Sequence, residues 1–308
     1  MREQKTHKKH LFVKKYNFFS HFFSKNWYNQ HIFCNFAGRM ALSINTHNQL
    51  LDLSSPKVMA IVNVTPDSFY TTWGNWSIDT LLQHVQDALD QGADILDIGA
   101  CSTRPNHTPI SANEEWTRLA PALQAIRSHF PNAILSVDTF RADIAEQAVT
   151  LGADIINDVY GGDNDSRIWE IAATYHVPYV LTFAQEPQEH ILSHMLDFFQ
   201  SRLDQLHKMN VADVIIDPGF GFAKTEEQNY TILQHMALLT QLHAPILAGI
   251  SRKSMLYKPL GVTPSDVLPA TVAANTLALE RGANILRVHD VAAAKQAIAI
   301  YSLTHKQE

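Results

Sequence analysis

The stretch Asp213-Val-Ile-Ile-Asp217-Pro-Gly-Phe-Gly-Phe222-Ala-Lys-Thr225 decides the fold. It opens with three β-branched apolar residues in a row, too few for a helix and right for a buried strand. A carboxylate, Asp217, stands where the strand stops. Pro218 and two glycines then demand a tight turn that leaves Phe220 and Phe222 on a loop. Thr225 is placed to cap the next helix, with Glu226 and Glu227 in its first turn. A charge at the C-terminal end of a buried parallel strand is where α/β barrels keep their chemistry. The plainer alternative makes Asp217 a turn cap and both phenylalanines core.

Moving outward, the same arrangement repeats. Short apolar runs occur at Val58–Asn63, Ile95–Gly99, Ile134–Asp138, Ile155–Asn157, Tyr179–Phe183, Val214–Asp217, Ile246–Ser251 and Ile285–His289. Between them lie helical patterns over 78–91, 113–129, 141–151, 165–176, 189–209, 226–241, 265–281 and 291–303. Three glycines, Gly92, Gly152 and Gly282, each precede a strand directly, as a C-terminal helix cap would. Eight βα units in this length predict an α/β TIM (β/α)8 barrel. A doubly wound open sheet is the competing architecture, but no G-x-G-x-x-G turn follows the first strand. Ala41–Leu53 is expected to form a hairpin or a plug at the N-terminal end of the barrel.

Composition narrows the class. Of 308 residues, 46% are hydrophobic and 18% charged, as in soluble globular proteins. Residues 1–39 hold eight Lys or Arg and one acid, Glu3, so the remaining 16 basic and 29 acidic residues give a net charge of −13. An acidic body argues against a nucleic-acid partner. Cys34 and Cys101 are too few for a disulfide framework or a metal cage, which points to the cytoplasm, and no apolar run has the length of a membrane span. The segment 1–39 lacks an apolar period and a signal-peptide pattern. It is expected to be a disordered extension, with Met40 as the translation start and 40–308 as the barrel domain; mass spectrometry of the native N-terminus tests this.

The strand ends are unusually polar. They deliver Asn63 with Thr65-Pro66-Asp67, Asp97 with Ser102-Thr103-Arg104-Pro105, Asp138, Asn157 and Asp158, Asp217, Ser251-Arg252-Lys253, and Arg287 with His289. Burying such groups without partners is costly, so a polar ligand is the simplest reason for them. Asp138, Asn157 and Asp217 suit a flat heterocycle rich in N–H groups, and Lys253 can donate to a ring carbonyl or nitrogen. Arg287, His289, Asn63 and Arg104 form an anion-binding set suited to phosphates. Asn63 can also ligate Mg²⁺ through its carbonyl oxygen. No Ser or Cys is recognisably activated as a nucleophile, which favours positioning and leaving-group stabilisation over covalent catalysis.

These residues fall into motifs: Asn63-Val-Thr-Pro-Asp-Ser-Phe69, Asp97-Ile-Gly with Ser102-Thr-Arg-Pro105, Ser136-Val-Asp-Thr139, Asn157-Asp-Val, Asp217-Pro-Gly-Phe-Gly-Phe222, Ser251-Arg-Lys-Ser254 and Arg287-Val-His-Asp290. In this order the chain resembles the dihydropteroate synthases over roughly residues 57–303. The resemblance implies joining of 4-aminobenzoate to 6-hydroxymethyl-7,8-dihydropterin diphosphate in folate synthesis. The diphosphate leaves first, and the amine then attacks the resulting carbocation. It implies that Asp138, Asn157, Asp217 and Lys253 hold the pterin, and that Asn63, Arg287 and His289 hold diphosphate and Mg²⁺. Thr103, Arg104, Pro105, Phe69, Phe222 and Ser251 would line the 4-aminobenzoate side, and the family is a homodimer packed through its last helices.

The chain departs from the family pattern at Tyr70-Thr-Thr-Trp-Gly74, where Ser-Asp-Gly-Gly is usual. It departs again at Ala100-Cys101 for Gly-Glu, and at Thr182-Phe-Ala184 for Met-His-Met. Two alternatives follow: a non-catalytic pterin-binding paralogue, which the altered loop permits, and a methyltetrahydrofolate-corrinoid methyltransferase, which lacks the Ser-Arg-Lys and Arg-x-His pair.

Overall fold

The structure, a computed structural model, describes residues 42–46, 49–64, 77–101, 110–186 and 190–305. The extension 1–39, the departing stretch 70–74, and Phe69, Thr103, Arg104 and Pro105 lie outside the described residues.

The first described elements are β1 (Ser43–Asn45) and β2 (Leu50–Asp52), an antiparallel hairpin with Ser43 opposite Asp52. Then come the barrel strands: β3 (Lys57–Asn63), β4 (Ile95–Gly99), β5 (Ile134–Asp138), β6 (Ile155–Asp158), β7 (Tyr179–Thr182), β8 (Val214–Asp217), β9 (Leu247–Ala248) and β10 (Ile285–Val288). They pair in parallel in the order β8-β7-β6-β5-β4-β3-β10-β9. The last seam is closed by a parallel bridge between Ile216 and Ile246, where the Ile216 amide donates to the Pro245 carbonyl at 2.8 Å. The ring is the expected TIM barrel.

Nine α-helices occur among the described residues. They are α1 (Ile78–Asp90), α2 (Ala112–His129), α3 (Ala142–Thr150), α4 (Arg167–Tyr175), α5 (Ile191–Lys208), α6 (Glu226–His235), α7 (Ser254–Leu260), α8 (Leu268–Glu280) and α9 (Val291–Thr304). The helical pattern expected over 226–241 divides at His235, where α6 gives way to a 3-10 helix, Met236–Leu242. The pattern expected over 265–281 begins only at Leu268, and α7 was not expected; it is one short segment with Pro259 inside it, too brief for a period to register. The Ile246–Ser251 run pairs as strand only over Leu247–Ala248, because the chain turns at Ser251 and Arg252. The Thr225 cap forms as a full capping box: its hydroxyl accepts from the Gln228 amide, and the Gln228 side chain accepts from the Thr225 amide.

Strand alternation sorts the core into two layers. Residues of the outward face such as Val58, Leu96, Val137 and Leu286 pack against the helices. The other face of each strand points into the barrel, where Met59, Ile95, Ile134, Ile155, Val180, Ile215, Leu247 and Ile285 form one layer, a residue from every strand. Ile44 and Leu53, each 1% exposed, close that layer from below, so the expected hairpin or plug is both at once. One step further along each strand, two residues on, the inward position changes character. It reads Ile61, Asp97, Ser136, Asn157, Thr182, Asp217, Gly249 and Arg287. The barrel is thus filled with hydrocarbon at its N-terminal end and with polar groups toward its C-terminal mouth.

Candidate active site

The polar layer is organised by Arg287. Its Nε donates to Asp97 Oδ2 at 2.6 Å and its Nη2 to Asp138 Oδ2 at 2.6 Å, and Asn157 Nδ2 adds a third donor to Asp97 Oδ2 at 3.0 Å. Burial pushes the Asp138 carboxyl up to about 7, with the Arg287 guanidinium pulling it back down. Three atoms of this layer have no hydrogen-bond partner among the described residues: Asp97 Oδ1, Ser136 Oγ and Thr182 Oγ1. Native interiors satisfy almost all such groups, so a cluster of exceptions at one level marks a place built for something else.

Asp217 occupies the neighbouring sector. Its Oδ1 accepts from the Gly219 amide at 2.7 Å. Gly219 has φ +66°, and a Cβ there would come within 2.2 Å of the Phe183 carbonyl oxygen, so only glycine lets the turn fold back onto β7. Across the mouth, Lys253 stands at the N-terminus of α7. It donates to the Phe220 carbonyl, and its Nζ lies 4.6 Å from the centre of the Phe222 ring. Burial lowers the Lys253 ammonium to about 8, opposed by Asp217; burial raises the Asp217 carboxyl, opposed by Lys253. A Cβ on Gly249 would sit 3.8 Å from Asp217 Oδ2, 3.8 Å from Lys253 Nζ and 4.0 Å from Arg287 Cβ. The missing side chain leaves a carboxylate, an ammonium and the arginine stem converging on one space.

The two phenylalanines of the opening stretch part company. Phe220 is wholly buried core, whereas Phe222 is half-buried against Lys253. Ser251, buried at the same mouth, accepts from the His289 amide at 3.2 Å and lies 3.1 Å from His289 Nδ1, so it orients the imidazole. Asn63 ends β3 in register with Gly99. A side chain at Gly99 would run into Asp138, 3.2 Å from its Cβ.

Other residues hold this frame and were not singled out from the sequence. Lys224 donates to the carbonyls of Phe183 (2.6 Å), Gly219 (2.9 Å) and Phe222 (3.1 Å), pinning the loop that carries Phe222 to the end of β7. Arg252 adopts φ +55°, which turns it away from its neighbours. It forms a two-pronged pair with Asp290, Nε to Oδ2 at 2.8 Å and Nη2 to Oδ1 at 2.7 Å, tying the Ser251–Lys253 loop to the segment after His289. Lys224 lies inside the stretch quoted first, and Arg252 and Asp290 lie inside motifs read for binding. Only the signal that they face away from the ligand was missing.

This arrangement has a pH signature. Asp138 must be ionised to accept N–H groups, and Lys253 must be protonated to donate. Where these groups hold the pterin that the resemblance implies, affinity for free 6-hydroxymethyl-7,8-dihydropterin should fall below about pH 7 as Asp138 takes up a proton. It should fall again above about pH 8 as Lys253 loses one. Calorimetric titrations from pH 6 to pH 9.5 check this; an affinity flat across the range would show that neither group meets the ring.

A barrel whose mouth gathers buried carboxylates, an ammonium and a guanidinium defines a class of small-molecule enzyme, and comparison with known proteins names the family. Residues 59–289 match the family model described as pterin binding enzyme. The dihydropteroate synthase of Haemophilus influenzae is 34% identical over 274 residues, covering 85% of this chain and 99% of the relative. That of Bacillus subtilis is 36% identical over 238 residues, covering 76% and 83%. Among solved structures, Xanthomonas albilineans dihydropteroate synthase with 4-aminobenzoic acid superposes with a TM-score of 0.83 at 33% identity, covering 87% of this chain and all of that one. The same enzyme in complex with 7,8-dihydropteroate gives 0.79 at 32% identity, with the same coverage. The chain belongs to the dihydropteroate synthase family of pterin-binding transferases.

Proposed function

We propose that this chain condenses 6-hydroxymethyl-7,8-dihydropterin diphosphate with 4-aminobenzoate, giving 7,8-dihydropteroate and pyrophosphate. The observation that carries the reading is the convergence of Asp217, Lys253 and Arg287 around Gly249, beside three buried oxygens of the inner layer that have no partner among the described residues. Asp138, Asn157 and Asp217 accept from the pterin, Lys253 donates to it, and Phe222 packs on the ammonium that does so. His289, oriented by Ser251, and Arg287 bind the diphosphate. They stabilise the charge that develops as the C–O bond breaks and its electron pair leaves with pyrophosphate. The aromatic amine then forms the new C–N bond at the methylene carbon and gives up its proton. Thr103, Arg104, Pro105 and Phe69 are assigned to the 4-aminobenzoate side by resemblance.

A hard cation fits the donors present only in company with substrate. Asn63 offers one carbonyl oxygen, and the described residues contain no group of three or more His, Cys, Asp or Glu placed to cage a metal. Asn63 together with diphosphate oxygens would hold Mg²⁺, which neutralises charge on the leaving group. We place the protein in the cytoplasm as a homodimer. Leu277 on α8 and Ile300 and Leu303 on α9 are 44%, 61% and 60% exposed, an apolar surface that a second copy would cover. Sedimentation of the purified chain tests the dimer. A sulfonamide mimic of 4-aminobenzoate should compete with it.

A coupled pyrophosphate assay tests the reaction itself. Release that depends on both substrates is expected; pterin binding without release would instead identify a non-catalytic paralogue. The described residues contain no helix long and apolar enough to cross a membrane.

A further inference from the structure

Thr182 ends β7 in register with Asp217 on β8. Val180, two residues earlier, belongs to the interior layer, while Leu181 and Phe183 pack toward the helices, so the strand turns Thr182 into the barrel. It is 1% exposed, and its Oγ1 has no hydrogen-bond partner among the described residues. The other two orphaned oxygens of this layer have nearby polar company. Asp97 is already held through Oδ2 by Arg287 and Asn157, and Ser136 stands opposite Asp97 in the β4–β5 ladder. For Thr182 the neighbouring acid is Asp217, whose Oδ1 is taken by the Gly219 amide. The Asn157 Nδ2 is given to Asp97. No described residue partners the Thr182 hydroxyl, and a ligand in the mouth can supply that partner.

The chemistry of the site says what that partner needs to be. Ionised Asp138 and Asp217 only accept hydrogen bonds, so they can read only the N–H groups of a ligand. A pterin ring also carries acceptors, and the Lys253 ammonium, which already gives one N–H to the Phe220 carbonyl, reaches them from one side of the mouth only. A threonine hydroxyl can donate, and rotation about χ1 swaps its oxygen and methyl between two positions common in strands. We infer that Thr182 is a specificity-determining residue for the pterin, its hydroxyl donating to a ring acceptor of the bound heterocycle. This rests on reading the mouth as the pterin site. Thr182 stands where the family pattern this chain resembles usually has the first methionine of Met-His-Met.

The substitution Thr182→Val keeps the shape and removes the hydroxyl. Two measurements then move in different directions. The ligand-free protein should unfold at the same temperature or higher, because an unsatisfied buried group has been deleted. The Kd for 6-hydroxymethyl-7,8-dihydropterin diphosphate should rise roughly 3- to 10-fold, the loss of one neutral hydrogen bond. Thr182→Ser should bind as the wild type does. A hydroxyl serving only the fold would give the opposite: a lower unfolding temperature and an unchanged Kd. Wild-type affinity in Thr182→Val overturns the inference. Should that variant not fold, Thr182→Ala compared with Thr182→Ser makes the same test, both being smaller than threonine. A wild-type chain that does not bind the pterin diphosphate at all refutes the assignment of the mouth, which is a different failure from a wild type that binds and a valine variant that binds equally.

Discussion

Asp217→Asn should abolish turnover while leaving the protein folded. The carboxylate accepts from the Gly219 amide through Oδ1, and its Oδ2 faces the space beside Gly249 and Lys253. An asparagine can keep the Gly219 bond through its own carbonyl. Its amide nitrogen then points at the Lys253 ammonium and at the N–H groups expected from the pterin, a donor where an acceptor is needed. Hydrogen bonds to a charged group are worth ~1.5–3 kcal/mol each, so kcat/KM should fall by ~10²-fold or more. Stability should not fall in parallel, because burial already disfavours the charged form of Asp217 and the neutral amide escapes that penalty. Steady-state kinetics with a thermal melt on the same sample check both halves. Near-normal turnover would remove Asp217 from the site.

Arg287→Ala should be the most damaging change to the fold among the site variants. The sequence alone places Arg287 in an anion-binding set. In the structure Asp290 pairs with Arg252, and Arg287 lies between Asp97 and Asp138. Removing the guanidinium leaves two carboxylates in the barrel interior with little to offset them. Losing one member of a buried pair typically costs about 3–5 kcal/mol. Asp138 already has its pKa raised to about 7 by burial, and without Arg287 it should rise further. A folded-state pKa above the unfolded value means that the native protein binds more protons, so stability falls as pH rises through that window. The variant should therefore lose more stability at pH 8 than at pH 6. It should also bind free hydroxymethylpterin poorly, because Asp138 is disturbed. His289→Ala is the contrast: affinity for the diphosphate form should drop far more than affinity for the free pterin, with the melting temperature little changed. A wild-type melting temperature for Arg287→Ala at pH 8 would show that the interior acids do not depend on it.

Much of this molecule is written locally. The run Val214–Asp217 is a strand because three β-branched residues precede a Pro-Gly turn, and that decision needs no knowledge of the rest of the chain. The same holds for Gly92, Gly152 and Gly282, whose φ values of +96°, +97° and +95° end helices as their positions before strands predicted. A period of two along each strand likewise puts Asp97, Asp138, Asn157, Asp217 and Arg287 on one side of the sheet, so the polar mouth and most of its members were legible. What the period cannot say is which polar group meets which. Arg287 reaches Asp97 across 190 residues of chain and Asp138 across 149, and those meetings depend on ladder register and on the closing bridge between Ile216 and Ile246. The division between buried Phe220 and half-buried Phe222, the space left by Gly249 and the lack of a partner for Thr182 among the described residues are of the same kind. Alternation is a property of a single strand and can be read from it. Pairing, burial and vacancy inside a barrel belong to eight strands at once, and exist only when the ring has closed.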